Sequence, residues 1–92
     1  MNRLKIGVLI SGRGSNLQAL IAACAAPDFP AEIVLVVSNK PDAQGLDHAR
    51  VAGIDTAVVA HGEYPDRESF DREIDSHLKS SGAELVCLAG FM

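Results

Sequence analysis

The chain has 92 residues, 48% of them apolar and 22% charged, with a formal charge of -4. That length holds one small domain and excludes a second, and the balance is that of a folded chain, neither disordered nor built to coat a polyanion such as nucleic acid. A small phosphorylated ligand stays compatible with mild acidity, because a few backbone N–H groups bind one phosphate whatever the net charge.

The elements follow in chain order. Met1-Asn2-Arg3-Leu4-Lys5 is basic, but the apolar run behind it is too short to span a membrane and reaches Gly12-Arg13-Gly14 without a small-residue cleavage site. A cytoplasmic protein with no membrane partner is the reading. Leu4–Ile10 is the first strand, and the helix over Asn16–Ala26, rich in Leu, Gln, Ala and Ile, stops at Pro27. A second strand covers Ile33–Val37. Asp42–Ala52 is a second helix after Pro41, closed by Gly53. Thr56–Val59 is the third strand, and Pro65–Ser80 a third helix with acids in its first turns and Gly82 behind it. Leu85–Leu88 is the fourth strand. Cys24 and Cys87 sit among apolar or small neighbours and read as small buried hydrophobes of a reducing compartment.

Most of the strands are nearly continuous in Val, Ile and Leu, as in strands covered on both faces. The order β-α-β-α-β-α-β therefore predicts an α/β, Rossmann-like parallel sheet with helices on both faces. Ligands of such sheets lie beyond the carboxyl ends of the strands. Those ends are Ser11–Asn16, Ser38–Lys40, Ala60–Arg67 and Ala89–Met92. The last strand runs to Met92 without polar or helical cover, which implies a partner chain over that edge or a longer protein. For the 92 residues alone the expectation is marginal stability or self-association through the apolar edge.

The stretch Ile10-Ser11-Gly12-Arg13-Gly14-Ser15-Asn16-Leu17 joins the first strand to the first helix. It places free N–H groups at the positive end of a helix dipole, where an anion is favoured; the bland alternative is that Gly12 and Gly14 only permit a tight reversal. The spacing narrows the anion. A dinucleotide fingerprint needs a third glycine where Leu17 stands and an acid after the second strand, where Ser38-Asn39-Lys40 stand. A P-loop needs Gly-Lys-Ser/Thr, which is absent. A single phosphate, with Ser15 and Asn16 supplying a hydroxyl, an amide and a helix cap, fits best.

SGRGSNLQAL, VVSNKPDAQGLDHARVAGI, DRESFDRE and LVCLAGFM, in that order over essentially the whole chain, resemble the phosphoribosylglycinamide formyltransferases of purine biosynthesis. The resemblance implies transfer of a formyl group from 10-formyltetrahydrofolate to 5-phosphoribosylglycinamide, without a metal. Residues 1–92 would be the N-terminal, phosphate-binding half of that domain. Gly14, Ser15 and Asn16 match the loop that holds the substrate phosphate. Arg67 matches an arginine of the substrate and folate cleft, against the alternative of a solvated residue paired with Glu63 or Asp71. Met92 matches the first residue of the folate-binding segment, with Gly90 and Phe91 beside it.

The family's catalytic asparagine, histidine and aspartate match no position here, so no catalytic residue is expected in this chain. His48, His61 and His77 form no recognisable constellation, and only His61 follows a strand end. The acids from Asp66 to Asp75 read as a solvated face with i,i+4 pairs. A non-catalytic binding or assembly module and a general dinucleotide binder are the competing readings.

Overall fold

Runs of Val, Ile and Leu, separated by proline and glycine breaks, set the four strands, and the longer alanine- and leucine-bearing segments between them coil into helices. A computed structural model describes residues 3–11, 15–26, 28–60, 62 and 65–88. The elements are β1 (Leu4–Ile10), α1 (Ser15–Cys24), β2 (Ala31–Ser38), α2 (Gln44–Val51), β3 (Thr56–Val58), α3 (Arg67–Ser81) and β4 (Leu85–Leu88). All strand pairs are parallel, in the order β3-β2-β1-β4.

The central strands are buried on both faces, as their continuous apolar runs predict. On one face Val8, Ile10 and Val36 pack with Leu17 of α1 and with Leu46 and Ala49 of α2. On the other, Leu9, Leu35 and Val37 pack with Phe70, Ile74 and Leu78 of α3. Ile33 adjoins the first cluster although Leu35, two residues on, belongs to the second. Strict alternation forbids that. The β1–β2 register supplies the reason: Ile6 pairs with Ile33 but Gly7 with Leu35, so Val34 is an extra, bulged residue that flips the alternation.

Several element ends differ from the sequence reading. α3 begins at Arg67, not Pro65, because extended Asp66 is its N-cap, accepting a 2.8 Å hydrogen bond from the Ser69 N–H. α2 begins at Gln44, since Pro41 and Asp42 form a turn held by the Ala43 N–H on the Lys40 carbonyl. Its cap is Ala52, with Gly53 just beyond at a φ of 76°. Gly82 does take the left-handed conformation after α3, at a φ of 81°. α1 runs from Ser15 to Cys24, and β2 is longer than expected, from Ala31 to Ser38.

Arg3 ties the far end of α1 to the sheet. Its guanidinium donates to the carbonyls of Phe29 at 3.0 Å and Ala31 at 2.8 Å, and also to that of Cys24, the last residue of α1. Orphan carbonyls at a helix C-terminus are thereby met by a cation. Burial pushes the Cys24 thiol above its ordinary value, with Arg3 pulling the other way.

Candidate functional site

The carboxyl ends of the strands define one end of the molecule. There β1 runs out through buried Ser11, and β2 ends at buried Ser38. The Ser38 hydroxyl donates to the Lys40 carbonyl at 2.7 Å and accepts from the Lys40 N–H at 3.0 Å, so this turn is closed on itself by local bonds. It presents no acid for a ribose: the next one, Asp42, is exposed in the turn before α2.

α1 starts at this same end. Its first turn holds no acidic residue to compete for the helix N-terminus, and Asn16 is exposed there. Gly12 and Gly14, like Met92, Gly90, Phe91 and His61, lie outside the described residues, as does the side chain of Ser15.

α3 also begins at this end, because a helix between parallel strands runs back against them. Its first residue is Arg67. The Arg67 Nε donates to Asp71 Oδ1 at 3.0 Å, and its guanidinium carbon lies 5.7 Å from the centre of the buried Phe70 ring. Arg67 and Asp71 border a groove of about 290 Å³ whose apolar wall includes Leu9, Ile74, Leu78 and Leu88. Leu9 and Leu88 are register partners on β1 and β4, so the groove opens at the ligand-facing end of the sheet. Asp71 and this apolar wall escaped the sequence reading as site features; the only signal was that Asp71 stands four residues after Arg67 on one helix face.

The rest of the acidic helix is an exposed ladder, with Glu68–Arg72, Glu73–His77 and Asp75–Lys79 all paired at i,i+4. Such pairs contribute only about 0.3–0.5 kcal/mol each. His77 is thus engaged in a surface pair, and His48 sits half-buried on α2. No group of three His, Cys, Asp or Glu residues suited to a metal occurs among the described residues, and no described helix is long and apolar enough to cross a membrane. A second cavity, of about 200 Å³, lies between the tail ends of α1 and α2 near Cys24, Ile33 and Ile54. It is at the opposite end of the strands.

A parallel sheet with the start of a helix and an arginine-edged groove at its carboxyl end is a Rossmann-like α/β fold, a class whose ligands lie beyond the carboxyl ends of the strands. The chain belongs to the formyl transferase family, which matches residues 4–92. It is 52% identical over 91 residues to the trifunctional purine biosynthetic protein adenosine-3 of Gallus gallus, covering 99% of this chain and 9% of that protein. To the phosphoribosylglycinamide formyltransferase of Haemophilus influenzae it is 46% identical over 88 residues, covering 96% of this chain and 42% of the relative. The crystal structure of phosphoribosylglycinamide formyltransferase from Brucella melitensis superimposes with a TM-score of 0.95 at 43% identity, over 99% of this chain and 47% of that one. The chain thus spans less than half the length of these relatives.

Proposed function

We propose that this chain is the phosphate-binding half of a phosphoribosylglycinamide formyltransferase, and that Gly14, Ser15 and Asn16 hold the phosphate of 5-phosphoribosylglycinamide. The observation that carries the reading is the start of α1 at the carboxyl end of β1, with an exposed Asn16 and no acid in its first turn. Backbone N–H groups there point at an anion that the helix dipole favours.

In the reaction the glycinamide amine attacks the formyl carbon of 10-formyltetrahydrofolate. A tetrahedral intermediate forms, the bond to the folate nitrogen breaks, and the amine's proton passes to that nitrogen. Holding the ribonucleotide by its phosphate fixes the amine against the formyl carbon and converts part of the entropy of encounter into binding. Arg67 and Met92 belong to the donor side of the cleft. The asparagine, histidine and aspartate that handle protons and the oxyanion lie in the further part of the family's domain, so the 92 residues alone bind the ribonucleotide weakly and transfer no formyl group. Formyl transfer by the purified 92-residue chain would overturn that statement.

Asn16→Ala in the complete gene product tests the loop. It raises the apparent constant for the ribonucleotide well above its effect on the donor, and an unchanged constant for the ribonucleotide removes the loop from the site.

A further inference from the structure

We infer that Asp71 is a positioning residue for Arg67, holding its guanidinium so that the terminal nitrogens face a carboxylate of the formyl donor. The inference rests on the assignment of Arg67 to the donor made above.

The bond runs to Nε, not to the fork. Asp71 Oδ1 accepts from Arg67 Nε at 3.0 Å, and among the described residues nothing bonds to Nη1 or Nη2. An arginine held by Nε still presents two parallel N–H donors, the geometry that matches a carboxylate. Its plane is constrained a second time by Phe70, 5.7 Å from the guanidinium carbon and itself buried against the sheet. A long side chain is thus held by a partner one helical turn on and by an aromatic ring fixed in the core. Of the ion pairs between described residues on α3, Arg67–Asp71 alone has both members on the groove; Asp75 reaches the groove, but its partner Lys79 does not.

The ligand chemistry follows from the groove. Its wall is apolar, from Leu9, Ile74, Leu78 and Leu88, and among the described residues its charged rim carries Arg67 at the ligand-facing end together with Asp71 and Asp75. A folate joins a hydrogen-bonding pterin through a largely apolar aminobenzoyl ring to a glutamate, whose carboxylates are its anionic part. The apolar wall suits the aminobenzoyl ring and the fork suits a carboxylate of the glutamate joined to it.

Two accounts of Asp71 predict opposite signs. As a mere charge beside the site, it repels an anionic ligand, and removing it tightens binding. As a positioning residue, it has already ordered the arginine, and removing the acceptor loosens binding by the cost of immobilising that side chain, about two- to tenfold in Kd.

The experiment measures Kd by calorimetry in the complete gene product for tetrahydrofolate, for its glutamate diamide and for the ribonucleotide, with Asp71→Ala, Asp71→Asn and Arg67→Ala. Asp71→Ala is expected to weaken tetrahydrofolate about two- to tenfold while leaving the diamide and the ribonucleotide unchanged. Asp71→Asn, which keeps an acceptor oxygen, binds as the parent does. The Arg67 Nε–H resonance, ordered in the parent and in Asp71→Asn, becomes mobile in Asp71→Ala, a readout that a surface pair serving stability alone would not tie to affinity. Tighter binding in both Asp71 variants overturns the inference in favour of charge. Unchanged binding in Asp71→Ala, with carboxylate discrimination lost in Arg67→Ala, overturns it while leaving Arg67 on the donor. Unchanged discrimination in Arg67→Ala removes Arg67 from the donor carboxylate and the inference with it, and a weakened ribonucleotide alone would move the arginine to the phosphate.

Discussion

Gly7 on β1 and Leu78 on α3 pack so closely that a Cβ on Gly7 would overlap Leu78 Cδ2 and lie 3.4 Å from the Ala83 Cβ. The glycine is what lets α3 approach the sheet, and α3 in turn carries Arg67 and Asp71 to the groove. Gly7→Ala must push Leu78 from its buried place, costing about 1–3 kcal/mol by overpacking. Leu78→Ala alone costs about 2–5 kcal/mol by leaving a cavity. The two together cost less than their sum, because the truncated leucine vacates the space that the new methyl needs. Urea denaturation of the two single variants and the double variant measures the coupling, and strict additivity would mean that Gly7 and Leu78 do not compete for space.

Arg3 bonds the carbonyls of Cys24, Phe29 and Ala31, linking the end of α1 to the start of β2. Arg3→Met keeps much of the stem but leaves those half-buried carbonyls without their cationic donor. The expected loss is about 1–3 kcal/mol, the range for hydrogen bonds to a charged group. Arg3→Lys recovers only part of it, because one ammonium cannot span carbonyls that the guanidinium reaches from two nitrogens. Denaturant midpoints for the two variants check the order, and a lysine variant as stable as the parent would reduce the clamp to simple charge at a helix end.

The parallel sheet could be read because β1 and β2 are continuous apolar runs of the kind a doubly covered sheet needs, and the helices were marked by Pro27, Pro41 and Gly82; the spatial order β3-β2-β1-β4 came from the structure alone. The bulge at Val34 could not be read, since one more valine in an apolar run carries no sign of being extra. The cap at Asp66 was hidden behind Pro65, which is itself a good first helical residue. The place of Gly7 depends on a leucine far along the chain, and glycine in a strand does not say what approaches it. For the site, sequence spacing allowed Arg67 to pair with Glu63 or Asp71; the structure shows the pair with Asp71, one helical turn on, and Glu63 lies outside the described residues. The phosphate loop was read from glycine spacing, and of its three residues the described structure carries the side chain of Asn16 alone.

Asp66 gives α3 a pH dependence whose sign is fixed. Its carboxyl lies below the ordinary 3.8, chiefly because the Ser69 N–H bonds to the charged form, with the Ser69 side chain adding to it. A lowered value in the folded state means that the cap's contribution is fully present above about pH 4 and fades as pH falls through the lowered value. Asp66→Asn caps nearly as well and does not titrate. The difference in thermal midpoint between parent and Asn variant should therefore shrink as pH is lowered from neutrality towards 2. A difference that stays constant across that range would show that the charge on Asp66 contributes nothing to the cap.

β4 closes one side of the described sheet, paired on one flank only, and its side chains are unusually open: Leu85 is 50% exposed, Val86 43% and Leu88 68%. A strand edge offers unpaired N–H and C=O groups, and an apolar one adds a hydrophobic reason to pair. The purified chain is therefore expected to self-associate with rising concentration, seen as a growing weight-average mass in sedimentation. Val86→Lys places on that strand the charge by which natural edges resist pairing. Because Val86 already stands 43% exposed, the change should cost little stability while shifting association to higher concentration. A parent chain that stays monomeric at every concentration, or a lysine variant that associates as the parent does, would move the contact away from β4.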